Sequence, residues 1–210
     1  MSRILVFGLS GLVGQALAQS LRTRGLDVLA VSREARDETT GVDWLVGDLA
    51  TLPVPPGGVD AVLSAGPLDL FADWYARHAP PGLRVVALGS TSVLTKAASP
   101  DAGERDIARR LAAAEAALFA TAATTGGAAT LLRPTLIYGD GPDHSLTPMA
   151  ETARRQGWFV LPSGRTGLRQ PVHAADVAEA MLRCLDRPGT AGRTFDLADL
   201  TVRYLKRELK

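Results

Sequence analysis

The feature that most constrains the fold is an N-terminal stretch in which a short apolar run ends in three regularly spaced glycines. Residues 4–7 are all apolar, as in a parallel strand that is covered by helices on both faces. From Leu12 onwards apolar residues recur every three or four positions, which predicts a helix that ends near Gly25. The first two dozen residues are therefore predicted to form a strand, a glycine-rich turn and a helix.

This glycine-rich turn aims the helix N-terminus at the space above the carboxyl end of the strand. Unpaired N–H groups and the helix dipole make such an N-terminus a binding site for phosphate. Gly8 permits the tight turn, Gly11 lets a pyrophosphate approach the backbone, and Gly14 allows the helix to pack closely on the strand. Ser10 adds a hydroxyl for a phosphate oxygen. Glycines also occur in such turns for steric reasons alone, but the strand before and the helix after favour a dinucleotide site.

The end of the predicted second strand, residues 27–31, indicates which dinucleotide is bound. In a dinucleotide-binding fold an acid here bonds the ribose 2′-hydroxyl, whereas a basic residue accommodates a 2′-phosphate. Ser32 takes the place of the acid, and the planar guanidinium of Arg33 suits phosphate oxygens. We therefore favour NADP, with NAD as the alternative. The other interpretation is that Arg33 is a solvated loop residue. Glu34 or Arg36, which lie nearby in the sequence, could alter the preference between NADP and NAD.

The rest of the chain continues the alternation of strands and helices. Further strands are predicted over 42–46, 59–64, 83–88 and 129–132, and helices over 68–78 and 102–123. This pattern predicts an α/β fold with a doubly wound parallel sheet, of the Rossmann type, which binds ligands at the strand carboxyl ends. Prolines and glycines within 50–58 leave the expected crossover helix short or absent.

After residue 140 the alternation weakens. We expect helices over 145–156 and 174–185, extended segments over 158–161 and 169–172, and a short strand with a charged helix within 194–210. Residues 1–140 are therefore interpreted as the dinucleotide-binding core. Residues 141–210 are interpreted as a small, truncated substrate-binding region that is interleaved with the last sheet elements in one structural domain.

Composition excludes several classes of protein. The chain has a net charge of +1, so it does not carry the large positive charge that is typical of proteins that bind nucleic acids or anionic membranes. No apolar stretch is long enough to span a bilayer and no signal-peptide pattern is found, so we expect a cytoplasmic protein. Cys184, the single cysteine, falls on the apolar side of a predicted helix and is expected to be buried and inert. No metal site is predicted, because Asp143 and His144 lack a third ligand at a suitable spacing.

Four stretches occur in the order of the motifs of a known family. They are the loop of Gly8, Gly11 and Gly14, Ser90 after the fifth strand, the run from Leu132-Arg133-Pro134 to Tyr138-Gly139, and Gln170 to Ala178. Together they resemble the extended short-chain dehydrogenase/reductase superfamily, and more narrowly its NAD(P)-dependent epimerase/dehydratase family, which acts on nucleotide sugars. The resemblance covers residues 1–198. It implies oxidoreductase-type chemistry on a small molecule, such as a nucleotide sugar, and leaves a homodimer open.

Cofactor contacts follow from the glycine loop, the strand ends and the resemblance. Ala65 and Gly66 are small enough to let a cofactor lie against the backbone. Asp48 and Leu49 are placed to flank the adenine ring, although Asp48 is also a typical turn residue. The predicted cofactor-binding residues are Gly8, Ser10, Gly11, Leu12, Val13, Gly14, Ser32, Arg33, Asp48, Leu49, Ala65, Gly66, Ser90 and Pro134.

The sequence departs from the family in its catalytic residues. That family uses a tyrosine as general acid/base, a lysine four residues later, and a serine or threonine that orients the substrate hydroxyl. Ser90 matches the last role. Positions four residues after the three tyrosines, Tyr75, Tyr138 and Tyr204, are occupied by Ala79, Pro142 and Glu208. Aligning Glu115 with the family's acidic position places Ile107 and Leu111 where the tyrosine and lysine should be, so the chain resembles atypical members that lack this pair.

Two functional hypotheses therefore stay open. In the first, the chain is an enzyme with Ser90 and Tyr138 as candidate catalytic residues, Tyr138 being either a relocated acid/base or a residue that lines the substrate. Lys96 would replace the lost lysine unless it is a solvated surface residue, and His173 and Asp176 are expected to begin a helix. In the second, the chain is a non-catalytic redox sensor or assembly subunit. The family's substrate region normally continues further, which indicates a truncated form, a shortened gene product or completion by a partner.

Overall fold

A seven-stranded parallel sheet lies at the centre of the fold. The structure is a computed structural model that describes residues 3–37, 41–52, 58–139, 154–156 and 170–197. The strands of this sheet are β1 (Arg3–Phe7), β2 (Asp27–Ser32), β3 (Val42–Val46), β4 (Ala61–Ser64), β5 (Arg84–Leu88), β6 (Ala128–Arg133) and β9 (Arg193–Asp196). A separate two-stranded sheet consists of β7 (Ile137–Tyr138) and β8 (Val172–His173). The helices are α1 (Leu12–Thr23), α2 (Leu68–His78), α3 (Ser92–Thr95), α4 (Ala102–Thr125) and α5 (Ala174–Asp186).

The strand order is β3-β2-β1-β4-β5-β6-β9, so the chain builds the sheet outwards from β1 in both directions. Leu5 of β1 is in register with Leu29 of β2 on one side and with Val62 of β4 on the other. A crevice forms above the carboxyl end of β1, because the connections on its two sides run in opposite directions. The predicted doubly wound, Rossmann-type α/β fold is confirmed.

Two apolar layers cover the faces of the sheet. In one layer α1 packs beside α5, and Leu17 and Met181 are fully buried there. In the other layer α2 packs beside α4, with Leu118 fully buried. Since both faces are covered, the strand residues are apolar on both sides, which explains the continuous apolar runs in the sequence.

The aromatic residues of α2 belong to the core. Phe71, Trp74 and Tyr75 are all fully buried. The indole of Trp74 donates a hydrogen bond to the carbonyl of Leu52 at 2.8 Å, which fixes the segment after β3 against the helix. Leu70 lies on the opposite side of the helix and is 50% exposed.

Several predicted boundaries were wrong by one or two residues. The strand predicted over 59–64 begins at Ala61, because the backbone turns at Gly58 (φ +74°) and the Asp60 carboxylate accepts the backbone N–H of Arg3. The helix predicted over 102–123 continues to Thr125 and ends where Gly126 adopts a left-handed conformation. Turns and hydrogen bonds next to the elements set where this strand and this helix end, and the periodicity of apolar residues does not show those interactions.

Some predictions fall wholly or largely outside the described residues. These are the segment 158–161, most of the helix over 145–156, in which residues 154–156 are helical, and the end of the chain after 197. The boundary between core and substrate region at residue 140 also lies there and stays a prediction. Between β3 and β4, the described residues 47–52 and 58–60 contain turns and no helix.

Cys184 lies on the buried side of α5, as expected, and is a free thiol. Burial raises the pKa of this thiol, and the nearby Arg84 guanidinium offsets only part of that effect. The thiolate is the reactive form, so both the smaller thiolate fraction and the poor access slow the reaction. We expect a disulfide reagent at pH 7.5 to modify Cys184 about tenfold or more slowly in the folded protein than in urea. Equal rates would show that the thiol is accessible.

Candidate functional site

The turn between β1 and α1 is a compact glycine cradle, which we define as Gly8, Gly11 and Gly14. Gly8 has φ +81°, and a Cβ there would lie 2.8 Å from the carbonyl carbon of Ala65. A Cβ on Gly14 would lie 2.1 Å from the carbonyl oxygen of Gly8. At Gly11 the nearest protein atom would be an ordinary 3.4 Å away. The chain's own packing therefore requires Gly8 and Gly14, whereas the space beside Gly11 is open to a ligand.

The first turn of α1 is suited to an anion. Its N-cap residue is Gly11, which offers no side-chain oxygen to the N–H groups that follow, and the turn contains no acidic residue. The N–H groups of Leu12 and Val13 lie in that turn, where the helix dipole is positive. This is the arrangement that binds the phosphates of a dinucleotide in folds of this type.

Loops after β3 and β4 close the crevice beside the glycine cradle. The N–H of Ala65 donates to the carbonyl of Phe7 at 2.9 Å, so the turn after β4 is joined to β1. A Cβ on Gly66 would reach only the side chain of Leu49, at 3.7 Å. The structure thus brings the predicted residues Leu49, Ala65 and Gly66 together at one sheet edge, although their contact with a cofactor stays a prediction.

Asp48 forms a turn. Its Oδ1 accepts hydrogen bonds from the N–H of Ala50, the N–H of Thr51 and the hydroxyl of Thr51, at 2.8–2.9 Å. The bonds from Thr51, followed by that from Ala50, lower the pKa of the Asp48 carboxyl below its usual value. The structure therefore supports the turn interpretation of Asp48, and its role beside adenine stays a prediction.

At the end of β2, Arg36 is the basic side chain that contacts Ser32. Ser32 is buried, and its Oγ accepts hydrogen bonds from the N–H of Glu34 and from Nε of Arg36, both at 3.2 Å. The guanidinium of Arg36 also lies over the ring of Trp44, with Cζ 5.2 Å from the ring centroid. Arg33 is exposed, and its charge makes only a minor contribution to the lowered pKa of Asp48, after the hydrogen bonds from Thr51 and Ala50. The sequence indicates only that Arg36 could modify the cofactor preference. It does not show the contact between Arg36 and Trp44, because Trp44 lies on another strand.

Ser90 and Pro134 meet at the ends of β5 and β6. The N–H of Gly89 donates to the carbonyl of Leu132 at 2.8 Å, and that of Thr91 to the carbonyl of Pro134 at 3.1 Å. The hydroxyl oxygen of Ser90 accepts the N–H of Ser92 at 3.1 Å. The half-buried Ser90 therefore lies at the carboxyl edge of the sheet, where the resemblance placed it.

Tyr138 contacts His173 across the small sheet. The two residues are in register, and their rings meet edge to face with centroids 5.1 Å apart. His173 is the N-cap of α5, where its Nδ1 accepts the N–H of Ala175, and Asp176 lies in the first helical turn, as predicted. A Cβ on Gly139 would lie 3.5 Å from Leu12. The segment that carries Tyr138 therefore lies against the start of α1.

A buried ion pair supports the sheet beneath Ser90. Glu115 of α4 is buried, and its two carboxylate oxygens accept hydrogen bonds from Nε and Nη2 of Arg133 on β6. Nη1 of Arg133 lies 3.7 Å from Asp196 of β9. The hydrogen bonds that Arg133 donates to Glu115 raise the pKa of the Arg133 guanidinium. Sequence reasoning used Glu115 only for alignment and did not find this pairing.

A family model matches residues 64–198, which is more than half of the chain, and its description is the NAD dependent epimerase/dehydratase family. The chain belongs to this family.

The chain is also similar to a curated plant protein. A curated relative from Arabidopsis thaliana, "NADH dehydrogenase [ubiquinone] 1 alpha subcomplex subunit 9, mitochondrial", is 28% identical over 217 residues, which cover 91% of this chain and 52% of the relative. The chain thus spans about half the length of that relative.

Solved structures of similar proteins share the fold. MoeE5 in complex with UDP-glucose and NAD superposes with a TM-score of 0.73 at 22% identity, over 93% of this chain and 76% of that one. UDP-N-acetylglucosamine 4-epimerase from Bacillus cereus gives a TM-score of 0.71 at 18% identity, over 94% and 75% of the two chains. At these identities the likeness establishes a shared fold.

The alignment on Glu115 predicts Ile107 and Leu111 at the positions of the family's tyrosine and lysine. Ile107 and Leu111 line a cleft of about 510 Å³ between α2 and α4, and Leu68 lies across from them. The ammonium group of Lys96 is paired with a carboxylate, since its Nζ is 3.3 Å from Glu104 Oε1. A hydrogen bond from Ser99, together with Lys96, lowers the pKa of Glu104. The hypothesis that Lys96 replaces the cofactor lysine therefore gains no support.

The described part of the chain contains neither a candidate metal site nor a candidate membrane span. No group of three or more His, Cys, Asp and Glu side chains there could hold a metal ion. None of the helices in those ranges has the length and hydropathy of a membrane span. Asp143 and His144 lie outside the described residues.

Proposed function

We propose that this chain binds a nicotinamide dinucleotide at the glycine cradle and prefers NADP to NAD. The observation that carries the proposal is the uncapped first turn of α1, which contains no acid and lies over the crevice between β1 and β4. Ser32, Arg33 and Arg36 at the end of β2 support the choice of NADP, because neither Ser32 nor Arg33 supplies the carboxylate that would bond a ribose 2′-hydroxyl. The nicotinamide would supply hydride transfer when bound.

The chain's own residues would position the substrate. Ser90 is placed to orient a substrate hydroxyl at the carboxyl edge of the sheet, and Tyr138 supplies a phenol beside the start of α1. We propose a nucleotide sugar as the substrate class, since a solved structure with this fold was determined in complex with UDP-glucose and with UDP-glucuronic acid. Ile107 cannot transfer a proton, so Tyr138 is the candidate acid/base.

A second candidate function is a non-catalytic dinucleotide-binding subunit or redox sensor. The apolar residues Ile107 and Leu111 at the assigned catalytic positions favour it. So does the curated relative, which is named as a subunit of an NADH dehydrogenase. We propose a homodimer and a cytoplasmic location from the sequence, whereas the curated relative is named as mitochondrial.

One pair of measurements tests these proposals. In a fluorescence titration we expect NADPH to bind about tenfold or more tightly than NADH, because a charge-assisted contact to the 2′-phosphate contributes about 1.5–3 kcal/mol. Equal affinities would contradict the NADP assignment.

The NADPH-loaded and NADP⁺-loaded protein is then mixed with a panel of UDP-sugars. Conversion of a sugar or a change in absorbance at 340 nm supports the enzyme, whereas tight binding without turnover of any sugar favours the subunit.

A further inference from the structure

Two side chains of α2 hold the loop after β3 in place. Arg77 donates hydrogen bonds from Nη2 to the carbonyl of Leu49 at 3.0 Å and from Nη1 to the carbonyl of Ala50 at 3.1 Å. One turn earlier on the helix, the indole of Trp74 bonds the carbonyl of Leu52. Residues three apart on a helix are neighbours on its surface, so one face of α2 holds three carbonyls of this loop.

The loop after β3 depends on these bonds for its place in the structure. The bonds of Asp48 join it to Ala50 and Thr51, which belong to the same loop, so they fix the shape of the turn and not its position. No helix occurs among the described residues between β3 and β4. Side chains from α2 therefore do what a packed crossover helix would otherwise do.

The guanidinium of Arg77 is oriented by its own helix. Its Nε donates to the carbonyl of Asp73 at 3.1 Å, which leaves the two terminal amino groups for the consecutive carbonyls of Leu49 and Ala50. This use of a planar fork is specific to arginine, since the single ammonium of a lysine cannot match it. Arg77 is exposed, so its replacement should leave the apolar core intact.

The position of the loop determines where Leu49 lies at the crevice. A Cβ on Gly66 would lie 3.7 Å from Cδ1 of Leu49, so the loop meets the turn after β4 through this side chain. The glycine cradle is attached separately, by the hydrogen bond from Ala65 to Phe7. A change at Arg77 should therefore move Leu49 and leave the cradle unchanged.

We propose that Arg77 is a positioning residue for the adenine end of the cofactor, and that it acts through the loop after β3. This inference rests on the proposed function and adds to it a residue at the far end of α2. Its consequence is selective. Loss of Arg77 should weaken contacts with adenine, which Leu49 is predicted to flank, and should spare the pyrophosphate at the glycine cradle.

The test compares ADP with inorganic pyrophosphate as probes. In isothermal titration calorimetry we expect Arg77→Ala to weaken ADP binding about tenfold, because charge-assisted bonds to the loop are lost. Pyrophosphate is measured by its displacement of fluorescent NADPH, and its affinity should change by less than about twofold, because the glycine cradle is a separate part of the site. A purely structural role of Arg77 would leave the ratio of the two affinities unchanged.

Two further variants control for charge and for the loss of an arginine. Arg77→Lys keeps the charge but not the fork, so its ADP affinity should lie between those of the wild type and Arg77→Ala. Arg105→Ala is the matched control, because exposed Arg105 also bonds two consecutive carbonyls, those of Ser99 and Pro100, at 2.7 and 2.8 Å. It should change ADP binding by less than about twofold, because those carbonyls lie in another loop. Circular dichroism verifies that all variants fold.

Hydrogen–deuterium exchange of the ligand-free protein reports on the loop itself. The N–H groups of Ala50 and Thr51 should exchange about tenfold faster in Arg77→Ala, whereas those of β1 should keep the wild-type rate.

Three results would overturn the inference and leave the proposed function intact. Unchanged ADP affinity in Arg77→Ala removes the role of Arg77. Equal losses for ADP and pyrophosphate assign Arg77 to the fold of the site as a whole. Weaker ADP binding with unchanged exchange in the loop means that Arg77 contacts the nucleotide directly. Wild-type protein that binds neither NADPH nor ADP contradicts the proposed function, and this inference with it.

Discussion

Replacing Gly14 with alanine should destabilise the protein by about 3 kcal/mol and abolish measurable dinucleotide binding. The added Cβ would lie 2.1 Å from the Gly8 carbonyl oxygen and 2.4 Å from two backbone atoms of Leu9. These are backbone atoms of the turn itself, so no flexible side chain can move away to make room. The turn must open, which displaces the N–H groups of α1 from the crevice.

Urea unfolding and a nucleotide titration measure this effect. Gly189→Ala is the matched control, because a Cβ there meets nothing within 4 Å, and its stability should change by less than about 1 kcal/mol. Gly11→Ala separates folding from binding: its Cβ is tolerated by the protein, so stability should be kept while nucleotide affinity falls. Gly14→Ala with wild-type stability would refute the steric argument.

Replacing Glu115 with glutamine is expected to destabilise the fold by about 3 kcal/mol. The substitution keeps the size of the side chain but removes its charge. The largely buried guanidinium of Arg133 then has Asp196, at 3.7 Å, as its nearest acid among the described residues. Breaking a buried ion pair is costly because the remaining charge has lost its solvation without compensation. The free energy of unfolding in urea at pH 7 measures the loss.

Glu179→Gln is the matched control for Glu115→Gln. Glu179 also pairs with arginines, with Arg183 at 2.8 Å and Arg24 at 3.9 Å, but its side chain is 45% exposed and that of Arg183 is 67% exposed. Its replacement should change stability by only about 0.5 kcal/mol. Replacing Glu115 and Arg133 together by leucine should recover most of the loss, since an apolar pair of similar size needs no partner. Equal losses in the two Glu→Gln variants would show that burial of the pair is unimportant.

The sheet and the glycine cradle could be predicted from the sequence because their signals are local. Apolar runs mark strands covered on both faces, and the spacing of Gly8, Gly11 and Gly14 reflects one turn of backbone. Ser90 and Pro134 were placed at the sheet edge through the family resemblance, and the structure brings them together. Their contacts with substrate or cofactor stay predictions.

Contacts between distant elements could not be predicted in the same way. Arg36 lies over Trp44 only because β2 and β3 pair in a register that sets Ala30 beside Trp44. Nothing in the local sequence records that register. Likewise, Glu115 and Arg133 are 18 residues apart on different elements, and each alone looks like an ordinary surface charge. Positions that depend on tertiary packing therefore required the structure.

The close approach of Gly8 to Ala65 has a consequence for how a ligand is received. The turns after β1 and β4 are in backbone contact, and a hydrogen bond from Ala65 to Phe7 joins them. The floor of the crevice is thus rigid before anything binds. A dinucleotide that binds in this crevice loses its own conformational freedom but orders little of the surrounding chain. The affinity is therefore reduced mainly by the entropy that the ligand loses, and little by entropy lost from the protein.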